Sequence, residues 1–404
     1  MKYFTSSLSC TDLSKVYGKA NIKQYARYAK LITDFKRRFA AKGCYVASSP
    51  GRIEFIGNHT DHNGGSVIGC TVNIDIAAAF DASGNDKITI CGGGFRSIVF
   101  RVNDEKVCGG SLGLAKGVVT YLKKCGYKVG GFNAVFTSDV PTGAGVSSSA
   151  AFELAIAEII SCLYNGGTVT VKDKAEAGKF AENVYFNKPC GLLDQSVIAV
   201  GGAVVMDFSG GFDYRKSVDP LPSYKFVLIN SGKSHSSLNG LYAQVTDDMK
   251  AVATYFGAQR LIEVPSERFF ADTQVEKIVG SRAYARARHF FNECRRVSEA
   301  ENAIKTGNQR KVVELLNQSG ESSRHDLKNC AAFDGDDSIT GIIDFAKSIC
   351  PACAARVHGG GFAGTVLCVV PKSSFDDFVS ECRAKYGNKH VLTLSVRNVG
   401  TMAF

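Results

Sequence analysis

The stretch from Asp139 to Ala151 carries the residue types that bind a phosphate. It reads Asp-Val-Pro-Thr-Gly-Ala-Gly-Val-Ser-Ser-Ser-Ala-Ala and leads into a long apolar pattern that runs to Tyr164. Glycine lets the backbone approach a ligand, and the serines open a helix whose free N–H groups and dipole favour an anion. A serine hydroxyl can also reach a magnesium ion that neutralises the phosphate. An ordinary glycine-rich turn with a serine cap is the alternative interpretation.

A second polar group lies between Ser49 and Gly65. Apolar residues around Phe55 predict a short strand, and the chain turns polar after Gly57. The polar side chains that follow are Asn58, His59, Asp61, His62 and Asn63. Neighbouring sugar hydroxyls each need a donor and an acceptor, so this density favours a sugar site in which the Asp61 carboxylate accepts two hydrogen bonds. A hydrogen-bonded surface turn is one alternative, and a metal site formed by His59, Asp61 and His62 is another.

Two later segments combine glycine with polar side chains. Asp194 follows a glycine turn at 189–191 among apolar neighbours, so its pKa should depend on its surroundings, as a base or charge stabiliser requires. A helix N-cap is the alternative role for this aspartate. Three consecutive glycines in 358–364 fit close approach to a ligand, or else a bulged hairpin. The segment 231–234 ends like a P-loop, but Val227 stands where the first glycine is required, which excludes that motif.

These segments need helices and strands to position them. Apolar periodicity predicts helices over 22–39, 112–125, 150–164 and 172–187, and an almost entirely helical region over 241–320. Alternating or apolar segments predict strands within 45–101 and at 133–137, 202–207, 225–230 and 356–370, with a final helix and strand after them. This mixture predicts an α+β fold. The least crowded boundary lies near 209–223, so we expect two α+β domains, residues 1–215 and 216–404.

Composition limits the class of protein and of partner. A chain of 404 residues with 45% hydrophobic and 21% charged residues fits a globular protein, and a net charge of +10 favours anionic ligands. The basic clusters 36–38 and 282–296 have helical spacing with apolar partners, so we interpret them as solvated helix faces. Scattered cysteines indicate reduced thiols, and neither a membrane span nor a secretion signal is evident. We expect a cytoplasmic monomer without nucleic-acid or membrane partners.

Taken together, the four segments resemble the GHMP small-molecule kinase superfamily, and specifically its galactokinase branch. The resemblance spans Pro50 to Gly364. Gly51-Arg52, Ile56-Gly57, His59-Thr60-Asp61 and Asn63-Gly64-Gly65 resemble the galactokinase signature. The stretches that resemble the phosphate loop, the catalytic segment and the third glycine motif are Pro141 to Ala151, Cys190-Gly191 with Asp194-Gln195, and His358 to Gly364.

The resemblance implies transfer of the γ-phosphate of ATP to the anomeric hydroxyl of galactose, with Mg²⁺ as the metal and the active site in the cleft between two domains. It implies that Asp194 is the base or electrostatic partner of the sugar hydroxyl, and that Arg52 orients it and stabilises phosphoryl charge. Ser149 and Glu182 would hold magnesium. The implied sugar contacts are Asn58, His59, Asp61, Gly191 and Tyr242. The residues implied to wrap the nucleotide phosphates are Gly143, Ala144, Gly145, Val146, Ser147 and Ser148.

Several positions depart from the family pattern. The signature has Asn, Glu and Tyr where this chain has Glu54, Asn58 and His62, and the Glu is the residue expected to receive the C6 hydroxyl of the sugar. Asn58 lacks a negative charge that would repel a C6 carboxylate, so galacturonic acid becomes a second candidate substrate, alongside a related hexose. The aromatic residues that commonly flank adenine are replaced by Ser111 and Leu114.

A non-catalytic sugar sensor built on the same fold is a further alternative. The chain retains Arg52, Ser149, Glu182 and Asp194, and a protein without catalytic activity has no physical need for that set. The sequence therefore favours an enzyme over a sensor.

Overall fold

The computed structural model describes residues 2–5, 8–18, 22–92, 96–188, 190–232, 239–330, 333, 335–362 and 364–404. Four residues of the segments discussed above lie outside this set. They are Pro189 of the glycine turn, Ala363 of the third glycine motif, and Lys233 and Ser234 of the excluded P-loop.

The strands and helices alternate irregularly along the chain, as an α+β fold requires. The strands are β1 (Tyr45–Ile56), β2 (Ser66–Ala82), β3 (Lys87–Gly92), β4 (Ile98–Arg101), β5 (Phe132–Ser138), β6 (Ala203–Asp207), β7 (Asp213–Ser217), β8 (Tyr224–Asn230), β9 (Ala354–His358), β10 (Thr365–Pro371), β11 (Val391–Leu394) and β12 (Met402–Ala403). The helices are α1 (Cys10–Tyr17), α2 (Ile22–Phe39), α3 (Gly110–Lys124), α4 (Ser148–Tyr164), α5 (Val171–Phe180), α6 (Leu193–Val200), α7 (Asn239–Tyr255), α8 (Ser266–Ala271), α9 (Val275–Val279), α10 (Ser281–Lys305), α11 (Gln309–Ser322), α12 (Ile339–Ile349) and α13 (Phe375–Tyr386). Within the described residues, no helix has the length and apolar character that crossing a membrane requires.

The first sheet is built on the long hairpin of β1 and β2. Its strand order is β12-β1-β2-β5-β3-β4, and β6 pairs with β2 while β7 pairs with β6. The pairing is antiparallel except between β3 and β5, which run parallel. The register of β1 against β2 shifts between Pro50 and Arg52, so the strand bends next to the arginine that the sequence assigns to chemistry.

The second sheet is antiparallel, with the order β11-β8-β10-β9. Alternate residues of β8 point into different cores: Phe226 and Leu228 join the large core of the first sheet, whereas Val227 and Ile229 pack with α12 and α13. Both faces of β8 are therefore buried, which explains why its sequence is a continuous apolar run.

The two sheets share one hydrophobic core. Phe55 of β1 packs edge-on against Phe226 of β8 with ring centroids 6.2 Å apart, and α11 contributes Leu315 and Leu316 to the same cluster. The short strand β12 returns to the first sheet, where Ala403 pairs with Ala47. The fold is α+β as predicted, and the division of the chain at residue 215 stays a prediction.

Two sequence-based expectations differ from the structure. The helix predicted over 172–187 ends at Phe180 and continues as a π-helical turn, Ala181–Tyr185, and the short helix α6 was not anticipated. The solvated helix face expected at 282–296 is wrong in part, because Arg286 and Arg296 are buried and paired with Asp248 and Glu293. Helical spacing shows which residues share one face of a helix, but it does not show which acidic residues the tertiary fold brings to that face.

Candidate active site

The loop between β5 and α4 has the backbone geometry that close approach to a ligand requires. Gly143 and Gly145 adopt left-handed conformations with φ of 76° and 77°, and Ser147 does so as well with φ of 58°. A left-handed non-glycine residue is costly and often marks a functional site. Ser147 occupies the N-cap position of α4, but its side chain makes no capping hydrogen bond to the helix. The hydroxyl of Ser147 therefore binds another partner.

That partner is Asp194, which lies in the first turn of α6. Ser147 Oγ donates a hydrogen bond to Asp194 Oδ2, and the guanidinium of Arg52 binds both carboxylate oxygens, at 2.7 Å from Nε to Oδ1 and 2.5 Å from Nη2 to Oδ2. The remaining nitrogen, Arg52 Nη1, donates to the carbonyl of Gly145 at 2.5 Å. Arg52 of β1 thus joins the β5–α4 loop and α6, whose contact residues lie 93 and 142 positions later in the chain.

These contacts keep the carboxylate ionised. Burial by itself would raise the pKa of Asp194, but the Arg52 guanidinium, the Ser147 hydroxyl and the more distant Lys188 lower it below its usual value. Asp194 is therefore an anion at neutral pH. Its side chain remains one-third exposed, so a substrate hydroxyl can reach it.

The polar loop after β1 lies on the other side of Asp194. A Cβ atom placed on Gly191 would lie 1.7 Å from Asp61 Oδ2, so the Asp61 carboxylate fits against the backbone that leads to Asp194. Backbone N–H groups of His62 and Leu193 donate to it. Burial and the nearby Asp194 charge raise the pKa of Asp61 above its usual value. The two carboxylates therefore border a common space.

The histidines of this loop are ordered by hydrogen bonds. His59 has a left-handed backbone with φ of 58°, and its Nε2 lies 2.9 Å from the carbonyl of Gly360 in the β9–β10 loop. Burial, with His59 and His289 nearby, lowers the pKa of His62 to about 3, so this side chain is neutral. Tyr242 of α7 completes the wall, since its hydroxyl donates to the carbonyl of Gly361 at 2.8 Å and its ring covers Gly360.

Asn58 is buried and fully engaged by protein groups. Its amide donates to Glu54 Oε1 at 2.9 Å and to the carbonyl of Gly359 at 2.7 Å, and its oxygen accepts from Ser323 and Asn329. An asparagine amide has two donor and two acceptor positions, so none remains for a sugar hydroxyl. This arrangement does not support direct sugar contact by Asn58.

Glu54 and Asn58 therefore form a structural pair. Glu54 is also ion-paired with the buried Arg356 at 2.7 Å, and Arg356 donates to the carbonyl of Phe55. In this chain the carboxylate of the pair belongs to Glu54, where it neutralises the buried Arg356, and the amide belongs to Asn58.

Ser149, in the first turn of α4, contacts Glu182 of the π-helical turn. Ser149 Oγ donates to Glu182 Oε1 at 2.5 Å, and Lys188 Nζ lies 2.8 Å from Glu182 Oε2, while the carboxylate itself is almost fully buried. Glycine at position 117 lets α3 approach the π-helical turn that carries Glu182, because a Cβ there would lie 2.6 Å from Ala181. A hydroxyl and a buried carboxylate that contact each other are hard oxygen ligands, which suit Mg²⁺.

The alternative metal site is not supported. Among the described residues, no three histidine, cysteine, aspartate or glutamate side chains are grouped as a metal ion would require. The side chains of His59, Asp61 and His62 therefore do not form such a group.

Sequence reasoning missed the residues of α10 that hold the polar loop after β1, residues 57–65, in place. Glu293 Oε1 accepts from the backbone N–H groups of Gly57 and Asn58 at 3.0 and 3.2 Å, and His289 Nε2 lies 2.9 Å from the carbonyl of Asn58. Arg296 pairs with the other oxygen of Glu293 at 2.6 Å. The only available signal was the Glu293/Arg296 spacing of three residues, which does not specify burial.

We predict that Glu293→Ala costs about 3–5 kcal/mol of unfolding free energy, because it leaves the buried Arg296 without a counter-charge and two N–H groups without an acceptor. Urea unfolding measures this. Glu299→Ala, on the same helix with an exposed partner 3.8 Å away, should change the stability by less than about 0.5 kcal/mol. Equal effects of both substitutions would contradict the assignment.

The same carboxylate gives a pH dependence. Burial by itself would raise the pKa of Glu293, but Arg296, His289 and Arg356 lower it to about 2. A depressed pKa stabilises the fold above the unfolded-state value near 4.5, and this stabilisation is lost as the pH falls from there towards 2. Unfolding free energies of wild type and Glu293→Gln measured across that range should therefore converge.

Two family models match parts of the chain that form this site. Residues 33–82, which contain β1 and the polar loop after it, match the family model described as the galactokinase galactose-binding signature. Residues 113–202, which contain the phosphate loop and Asp194, match the GHMP kinases N terminal domain.

Curated relatives match over most of the chain. A protein named galactokinase from Actinobacillus pleuropneumoniae is 30% identical over 80% of this chain and 84% of its own length. One of the same name from Glaesserella parasuis serovar 5 is 29% identical over 85% of this chain and 90% of its own.

Solved structures agree. The crystal structure of Lactococcus lactis galactokinase complexed with galactose superposes with a TM-score of 0.79 at 25% identity and covers 98% of both chains. The Methanococcus jannaschii mevalonate kinase superposes with a TM-score of 0.61 at 16% identity, covering 88% of this chain and 99% of its own, which shows the shared fold alone.

Proposed function

Because this chain belongs to the galactokinase family of GHMP kinases, we propose that it transfers the γ-phosphoryl group of ATP to the anomeric hydroxyl of galactose at the site around Asp194. The observation that carries this proposal is the position of the Asp194 carboxylate. It contacts Ser147 of the phosphate loop and Arg52, and it borders the Asp61 loop. The acceptor hydroxyl must lie next to a carboxylate that faces both the phosphate loop and the loop of Asp61.

Asp194 and Arg52 divide the chemistry. The ionised Asp194 accepts a hydrogen bond from the anomeric hydroxyl and draws its proton as the oxygen attacks phosphorus. Arg52 fixes the orientation of that carboxylate by two hydrogen bonds and supplies positive charge where negative charge builds up on the phosphoryl oxygens. Positioning and charge neutralisation, rather than covalent help, account for most of the rate enhancement in such transfers.

The nucleotide and the metal occupy the phosphate-loop side in this proposal. The residues that wrap the phosphates are Gly143, Ala144, Gly145, Val146, Ser147 and Ser148. Ser149 and Glu182 would hold the magnesium ion, which would neutralise phosphate charge. The left-handed loop and the contact between the Ser149 hydroxyl and the buried Glu182 carboxylate support this assignment.

The sugar lies against Asp61, His59, Gly191 and Tyr242. The Asp61 carboxylate accepts sugar hydroxyls, and the backbone around Gly191 forms the floor. Asn58 is retained as a supporting residue only, because its amide is saturated.

The site favours galactose over galacturonate. A C6 carboxylate would need a cation, but Arg356 is already paired with Glu54, and His62 is neutral at physiological pH. We predict that kcat/KM for galacturonate is at least about 100-fold below that for galactose, since an unpaired buried charge is costly. Product formation on galactose, galacturonate and N-acetylgalactosamine tests this. Turnover of galacturonate alone would overturn the substrate assignment, and silence on all three sugars would overturn the kinase activity in favour of a sensor.

A cytoplasmic location and a monomeric state are further proposals that rest on sequence. Light scattering at micromolar concentration tests the second, and a mass well above 43.2 kDa would contradict it.

A further inference from the structure

We propose that Lys188 is a phosphate-binding residue of this site, paired with Glu182 until a magnesium–nucleotide takes that carboxylate. The inference rests on the proposed function, because it takes Ser149 and Glu182 as the metal position. It adds a second cation, besides Arg52, to the phosphate site, in a segment that the sequence motifs did not single out.

The geometry of the ion pair supports exchange. Lys188 Nζ lies 2.8 Å from Glu182 Oε2, while Ser149 Oγ donates to Oε1. The lysine side chain is 51% exposed and the glutamate side chain 3% exposed. The ammonium therefore enters from the solvent side on a flexible stem, whereas the carboxylate is fixed within the fold.

The Lys188 ammonium interacts with several charged and polar groups of the proposed site. Its charge acts on Asp194 and Tyr242 as well as on Glu182. Burial would lower the pKa of Lys188, but Glu182 and then Asp194 raise it above its usual value, so the side chain is a cation at neutral pH. Lys188 thus contacts Glu182 directly and lies close enough to Asp194 for its charge to act on that carboxylate.

Exchange follows from charge. An ammonium and a magnesium ion cannot share one carboxylate oxygen, since two cations within about 3–4 Å repel strongly away from bulk water. When Glu182 binds the metal, Lys188 needs another anion within reach of its four-carbon stem. The nucleotide phosphates that the proposed function places at the start of α4 would provide this anion, and lysine binds phosphate as a point charge.

The experiment compares Lys188→Met, Lys188→Arg and the matched control Lys172→Met. Lys172 is 56% exposed and pairs with Glu176 of α5, so its substitution removes an equivalent charge outside the site. Calorimetry measures the Kd of a non-hydrolysable Mg–ATP analogue and of galactose. Lys188→Met should weaken the nucleotide by about tenfold, as expected for one charge-assisted hydrogen bond, and leave galactose affinity within about twofold.

Lys188→Arg should restore most of the nucleotide affinity, and Lys172→Met should leave it within about twofold. Nucleotide affinity equal to or tighter than wild type in Lys188→Met, with unchanged thermal unfolding, would overturn the inference, because the lysine would then only neutralise Glu182. A wild-type protein that binds the nucleotide but phosphorylates no sugar would reject the proposed function alone, and the nucleotide comparison would still decide the role of Lys188.

Discussion

Replacing Asp194 by Asn is expected to lower kcat by about 10³-fold. The amide cannot take the proton of the sugar hydroxyl, and it presents NH₂ hydrogens to one of the Arg52 nitrogens that now donate to the carboxylate at 2.5 and 2.7 Å. The buried Arg52 guanidinium would lose its counter-charge and its fixed orientation. Steady-state ADP release at saturating galactose and ATP measures the effect.

A matched control separates catalysis from charge loss. Asp213 on β7 has a side chain that is 73% exposed, so Asp213→Asn removes the same charge away from the site and should leave kcat within about twofold. Thermal unfolding and galactose affinity of Asp194→Asn establish that the variant is folded. Wild-type kcat in the folded variant would remove Asp194 from the chemistry.

The second large effect is expected for Gly191→Ala, which should lower kcat/KM for galactose by about 100-fold or more. The new methyl group would lie 1.7 Å from Asp61 Oδ2, and the backbone N–H groups of His62 and Leu193 hold that carboxylate. Asp61 must therefore move by more than 1 Å to clear the contact, and a displacement of that size in a positioned group costs about 10²-fold. Galactose titration and steady-state kinetics measure the loss.

The control for this substitution is Gly210→Ala. A Cβ at Gly210 meets nothing within 4 Å, so activity and stability should remain at wild-type levels. The expected Gly191→Ala result is loss of sugar affinity with nucleotide affinity retained, because the phosphate loop is not touched. If Gly191→Ala bound galactose as wild type does, Asp61 would not be a sugar contact.

Much of the site could be inferred from local sequence. The glycine and serine spacing of 143–149 indicated a phosphate loop, and the structure gives this loop its left-handed backbone at Gly143, Gly145 and Ser147. The Gly-Leu-Leu-Asp segment indicated an aspartate with a perturbed pKa, and the pKa of Asp194 is shifted. Backbone conformational preferences act over a few residues, so short motifs carry this information.

Other features depended on distant partners. Asn58 looked like a sugar ligand because its loop is polar, but residues 265 and 271 positions away, Ser323 and Asn329, saturate its oxygen. Glu293 looked like part of a solvated basic helix, but it binds backbone N–H groups 235 and 236 positions earlier. Lys188 carried no recognisable motif, and only its distance to Glu182 identifies it.

The sequence alone determined the α+β class and most of the helices and strands, and it indicated loops suited to phosphate and sugar, because periodicity and turn chemistry are local properties of the chain. The tertiary structure decided which polar side chains face the reaction space and which are consumed as internal supports. A hydrogen-bonding group carries no record in the sequence of whether its partner is a ligand or a backbone amide more than two hundred residues away, since that outcome depends on how β1, α10 and the β9–β10 loop pack together.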